Sequence, residues 1–285
     1  AEAAARKGID EILVTHQKAV LADWLAELEG KDGHQKDALK ARKDAWRFEP
    51  TQERLINWFN ANGGLLKDSE LQAEIEFLRK QENAKFVRLT CMLELLVGEY
   101  DLPRKTLIAS DPLGWRPESH PGEIVLPFLL IAGAQVSHMP ENSSLKFVSE
   151  GMKSIFIRWQ AHLISGSKSQ ELHTYLDYLQ GAIAKNPVSQ KEMDNFLATA
   201  RTAILDRIRA VVTEGLDHLF PSVAHLAVAF AEACFLADQQ ERGLKLINNI
   251  RNMYIRQHNL RNEIKTLFNV SPVLPSLTVQ GQLTH

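Results

Sequence analysis

Three observations predict an all-α fold. Apolar residues recur at helical spacing along most of the chain, and runs of alternating Val, Ile and Thr are nearly absent. Glycine and proline are few, 15 and 11 among 285 residues, so helices run long and connections short. Together they predict about ten helices in succession, as a multi-helix bundle or a helix-pair solenoid.

The first element is an amphipathic helix over Ile9–Leu28, with Ile9, Ile12, Leu13, His16, Val20, Trp24 and Leu28 on one stripe expected to face the core. Gly30-Lys31-Asp32-Gly33 ends it. Residues 34–47 read as a charged surface helix with two apolar anchors, Leu39 and Trp46. Pro50-Thr51 starts a short helix whose Leu55, Ile56, Trp58 and Phe59 form a dense apolar patch, closed by Asn62-Gly63-Gly64. Asp68 or Ser69 caps a long helix to Tyr100, with Leu71, Ile75, Leu78, Phe86, Leu89, Leu93 and Leu96 in register. Residues 101–122 hold four prolines and two glycines and are expected to be irregular, either functional or a linker.

Glu123–Ser137 is apolar almost all round and predicts a central buried helix. A further helix begins after Pro140-Glu141-Asn142-Ser143 and carries Leu145, Phe147, Met152, Trp159 and Leu163 up to Gly166-Ser167. A shorter one carries Leu172, Tyr175, Leu176, Leu179 and Ile183. Ser189 with Glu192 makes a capping box for a long helix to Phe220. Pro221–Phe268 then forms an antiparallel pair joined at Ala237–Gln240, with a small-residue face (Ala224, Ala227, Ala231, Cys234) that lets the two helices approach closely. We expect the rest of the chain to be organised around this pair. It resembles a tetratricopeptide-type unit, with Ala231, Cys234, Gly243 and Ile247 where that family places its small and large packing residues. The family's tryptophan and proline positions are not matched, and no second copy stands in register. The organisation expected is an N-terminal helical region, 1–100; a loop or linker, 101–122; a C-terminal helical region, 123–270; and an extended tail, 271–285.

Composition narrows function. Hydrophobic residues at 45% and charged residues at 24% suit an ordinary globular chain with a substantial core. A formal net charge of −2 argues against a nucleic-acid binder. Arg242, Lys245, Arg251, Arg256, Arg261 and Lys265 alternate with asparagines, but Arg251, Arg256 and Arg261 rotate by about 140° per step and share no helical face. The two cysteines, Cys91 and Cys234, lie in apolar patterns and predict buried thiols in a reducing, cytoplasmic setting. Ala1–Gly30 lacks the apolar core of a signal peptide, and its opening Ala-Glu-Ala-Ala-Ala-Arg resembles a helical linker. Ile124–Val136 is too short to span a bilayer.

Motifs for catalysis are missing: no Gly-x-Gly-x-x-Gly, no phosphate-binding Gly-Lys-Ser/Thr, no Gly-x-Ser-x-Gly, no His-Glu-x-x-His and no paired-cysteine zinc pattern. Of the ten histidines, Glu214, His218 and His225 offer the one metal-like spacing, best read as surface or helix-end residues. His16 reads as a bonded core histidine. Glu74 and Glu76 read as solvated helix charges. No cofactor or metal is expected. The chain is therefore expected to be a non-catalytic helical scaffold, adaptor or regulator that binds a protein partner, with Trp46, Trp58 and Phe59 as candidate anchors. The alternative is a small-molecule or sensory domain with a pocket at the 101–122 loop, lined by Trp115 and His120. A helical enzyme would need His120, His138 and a carboxylate to converge.

Overall fold

The computed structural model describes residues 2–115, 119–136, 138–152 and 173–275. Among them lie fourteen α-helices and no strand, so the chain is an all-α helical bundle.

The helix expected over Ile9–Leu28 is divided at Ile12–Val14 into α1 (Glu2–Glu11) and α2 (Thr15–Lys31). Helix α3 (Gln35–Phe48) folds back on α2 and is followed by α4 (Gln52–Ala61), whose N-cap Thr51 accepts the Arg54 N–H. The α2–α3 hairpin closes on alanines: Ala19, Ala22 and Ala26 from one helix, Ala38, Ala41 and Ala45 from the other, all buried. Methyl-sized side chains let two backbones approach closely, and that contact sets the rotation of α2. The expected apolar stripe consequently faces outward, with Leu13, Val20 and Trp24 exposed. Helix α3, expected on the surface, buries one full face.

The long helix expected over 68–100 is a helical hairpin, α5 (Asp68–Lys80) and α6 (Val87–Leu96). Glu82 turns the chain at φ 46°, the Asn83 side chain accepts the Lys85 N–H at 3.0 Å, and Arg79 on α5 meets Glu94 on α6 at 2.7 Å. Nor is 101–122 wholly irregular, since α7 (Asp101–Ala109) occupies its first half. Pro103 lies in the first turn of α7, where a missing N–H leaves no helical bond unmade.

Helix α8 (Gly122–Gly133) is buried on all sides, as its composition predicts. The short α9 (Ser144–Ser149) is capped by Ser143; the continuation expected through Trp159 and Leu163, with His162 and Gly166–Ser169, lies outside the described residues. Thr174 and Asp177 form a capping box for α10 (Tyr175–Lys185), and Ser189 and Glu192 form the expected one for α11 (Gln190–Thr213). The last described helices are α12 (Phe220–Leu236), α13 (Gln240–Met253) and α14 (His258–Val270), so the second member of the final pair is itself broken at Tyr254–Gln257; most of the tail expected over 271–285 lies outside the described residues.

Helix α12 is the hub, packing on α8, α9, α11, α13 and α14. At Gly243 of α13 an added Cβ would stand 3.1 Å from the Ala231 backbone and 3.2 Å from Cys234 Cβ, so the glycine is what lets α12 and α13 close. The stretch Asp217–Leu236 is long and apolar enough to cross a bilayer, but 67% of its most apolar 18-residue window is buried inside the protein. One continuous core runs from Trp46 to Leu274, while Ala5, Leu25, Ala26 and Ala41 form a small separate cluster under α1.

Candidate functional site

The loop after α7 is closed by a compact knot. His120 Nδ1 accepts the Gly122 N–H at 2.9 Å, which leaves the ring proton on Nε2 to donate to the Asp111 carbonyl at 3.1 Å. The imidazole stacks on Trp115, with ring centroids 5.4 Å apart and planes 24° from parallel. The Arg207 guanidinium, reaching from α11, lies 4.5 Å from the same indole and donates to the Pro112 carbonyl. Gly122 fits beneath both rings; a Cβ there would come within 2.7 Å of the indole and 2.8 Å of His120 Nδ1. Burial, aided by the Arg207 charge, holds the imidazole below its ordinary range and neutral. Both ring nitrogens are already bonded and the side chain is buried, so the pair pins Asp111 and Pro112 to the body of the protein. His138 is exposed and is not among the partners of His120.

Trp46, Trp58 and Phe59 are closed into the core, at 0%, 4% and 0% exposure. Trp46 Nε1 donates to Glu74 Oε2 at 3.1 Å, and Arg47 reaches Glu74 Oε1 at 2.7 Å. Glu74 is therefore a buried acceptor joining α3 to α5, not a solvated charge; Glu76 is exposed. Phe59 packs edge-on against Tyr178 at 5.2 Å, and Asn60 bonds both the Tyr178 hydroxyl and the His173 backbone, stitching α4 to α10. His16, expected in the core, is exposed and meets Glu49 at 2.9 Å.

Two further clusters are not predicted as clusters, because their members are distant in the chain; the sequence singles out His225 only for its spacing to Glu214 and His218. On α12, the fully buried Glu232 accepts the Ser144 and Leu145 N–H groups of α9 at 3.1 and 2.7 Å and the Ser271 hydroxyl at 2.7 Å. Burial raises its pKa despite these bonds. One turn-pair earlier, His225 Nδ1 lies 3.1 Å from Ser144 Oγ, under the Phe147 ring at 3.9 Å. A serine beside an imidazole is a nucleophile–base pair in outline. Here the N–H groups of Ser144 and Leu145 are held by Glu232, and that of Lys146 by Ser143, so the start of α9 has none left to steady an oxyanion.

Among the described residues, two of the places open to a ligand or partner bear most directly on function. One is a largely apolar hollow of about 320 Å³ between α8 and α10, lined by residues such as Ile131, Val136, Ile183 and Val188 with Gln135 and Gln180. The other is the outer face of α1–α2, where Leu13 is 94%, Val14 54%, Val20 49% and Trp24 44% exposed. Among the described residues no group of His, Cys, Asp and Glu is arranged to hold a metal ion. Cys91 and Cys234 are unpaired and buried, and burial pushes both thiols up to about 12. No protein-family model, curated protein or solved structure matches the chain.

Proposed function

We propose that the chain is a non-catalytic helical scaffold or adaptor that binds a protein partner through the outer face of α1–α2. The observation that carries this reading is the unpartnered apolar row Leu13, Val20 and Trp24 on a hairpin whose other side is closed by alanines. Val20 and Trp24, four residues apart, line one face of α2, and Leu13 stands exposed in the break just before it; tryptophan is among the commonest hot-spot residues. The occupant that suits such a row is an apolar helix face of the partner, laid along α2.

The test is native mass spectrometry of the protein from its own host, with Val20→Glu/Trp24→Glu as comparison. A stoichiometric polypeptide on the wild type, absent from the variant, is the expected result. The α8–α10 hollow supports a second reading, a small apolar ligand, since its volume sits at the lower end of the range of ligand pockets, roughly 300–1,000 Å³. A small-molecule mass released on denaturation, and retained by the Val20→Glu/Trp24→Glu variant, would replace the first reading with the second.

A further inference from the structure

The corner between α13 and α14 combines exposed aliphatic side chains with a run of basic ones. Met253 and Ile255 are 56% and 62% exposed, while Tyr254 between them is half-buried and packed on the core. Alternation at the turn thus roots the tyrosine and pushes its two aliphatic neighbours outward. The corner is braced: Gln257 N–H bonds the Tyr254 carbonyl at 3.0 Å, and Arg261 Nη1 bonds the Ile255 carbonyl at 3.1 Å. Arg251 and Arg256 flank the aliphatic pair and are exposed, as is His258. From Arg242 to Asn262 the chain carries Arg242, Lys245, Arg251, Arg256 and Arg261 and not one carboxylate. On the adjoining α11, Arg209 lies near enough to act on the Tyr254 hydroxyl, though it shares its charge with Asp206 at 3.2 Å.

The helical periodicity of the arginines gives them no common face on a continuous helix. The break at Tyr254–Gln257 removes that objection for two of them, because the helix ends between Arg251 and Arg256, both exposed, and the 140° step does not apply across it.

We infer that this corner docks on an anionic lipid bilayer, with Met253 and Ile255 entering the headgroup–acyl boundary and Arg251 and Arg256 held at the lipid phosphates and carboxylates. Charge complementarity selects an anionic surface. The exposed pair selects a soft one: two aliphatic side chains fall far short of the roughly 800 Å² per partner that a stable protein interface needs. A bilayer, in contrast, takes up small apolar insertions and adds the cations' attraction to them. A nucleic acid would offer phosphates but no apolar layer for methionine and isoleucine. Anionic lipids face the cytoplasm, the compartment that the cysteine usage predicts.

The experiment is co-flotation of the full chain with vesicles of phosphatidylcholine alone or with about one third phosphatidylserine. Expected is binding to the anionic vesicles that weakens as salt rises, with little on the neutral ones. Arg251→Gln and Arg256→Gln should each lower the partition about fivefold. Met253→Asp/Ile255→Asp should abolish it; all four side chains are exposed, and circular dichroism checks the fold. Val20→Glu/Trp24→Glu should leave vesicle binding unchanged, so this inference and the protein-partner reading fail separately. Equal binding to neutral vesicles, no binding to anionic ones, or binding indifferent to the corner variants would each overturn the inference. Retention on polyglutamate or DNA without vesicle binding would overturn it in favour of an acidic macromolecule.

Discussion

His120 works as a neutral imidazole, because protonation would turn Nδ1 from an acceptor of the Gly122 N–H into a second donor. Its folded pKa is lowered, chiefly by burial, with Arg207 adding to this and the Asp111 carbonyl opposing it. His225, lowered by its burial, has the same sign. For a base with a depressed folded pKa, the unfolded chain takes up the proton first as pH falls. The stability is then complete above the unfolded value of about 6.5 and is lost progressively below it. Glu232, raised by burial, acts oppositely, losing stability as pH rises from its ordinary carboxylate range. The urea midpoint should therefore fall between about pH 7 and about pH 5, and fall less steeply in His120→Asn/His225→Asn. An unchanged slope in that double variant would assign the acid sensitivity elsewhere. Gly122→Ala should cost about 1–3 kcal/mol in denaturant unfolding, since its methyl would press on Trp115 and His120. Trp115 and His120 were legible as residues that a plain linker does not need. Their roles were not, because the Arg207 that completes the knot lies far along the chain.

At the scale of elements, two kinds of signal were readable. Helix α8 is apolar around its circumference and can only be buried, and α11 opens with a Ser-x-x-Glu box whose bonds form as the motif requires. Orientation was harder for α2, which has two candidate faces, one of large apolar residues and one of alanines. Hydrophobic periodicity favours the first, but α3 presents its own alanines, and close backbone approach favours the second. Breaks at Gln81–Asn83 and Tyr254–Gln257 contain neither glycine nor proline, and Asn83, the N-cap of the turn that follows, is the one local mark of either. Glu232 shows how an element far away can decide one of these helices. By accepting two N–H groups it caps α9, six residues long and too short to stand alone. Glu232→Ala should orphan both donors and cost about 2–5 kcal/mol. Hydrogen exchange should localise the loss, with the Ser144 and Leu145 amides exchanging faster and α10 unaffected at subdenaturing conditions. Uniform acceleration along the whole chain would instead make Glu232 part of the global core and nothing more.

Across the whole molecule, burial is unevenly shared. From Trp46 to Leu274 the described helices share one core, and α12 touches five of them. Helix α1 stands outside it: of its ten residues only Ala5 is buried, and its ties to the hairpin are the small cluster of Ala5 and Ile9 on Leu25, Ala26 and Ala41, and Arg6, which bonds Glu2 on its own helix and the buried Glu29 of α2. A segment with so few buried contacts opens locally at a fraction of the global unfolding free energy. Native-state hydrogen exchange should therefore show α1 amides losing protection by a path insensitive to denaturant, while α12 amides exchange only through global unfolding. Arg6→Ala should widen the gap: α1 loses its remaining protection and the α12 amides do not change. The carboxylate of Glu29, left with His34 as its described partner at 2.9 Å, would confine the damage to the hairpin. Equal protection of α1 and α12 would mean that the small alanine cluster is continuous with the main core in solution. The outer face of α1–α2, with Leu13, Val20 and Trp24 exposed on it, would then be a rigid wall of the bundle.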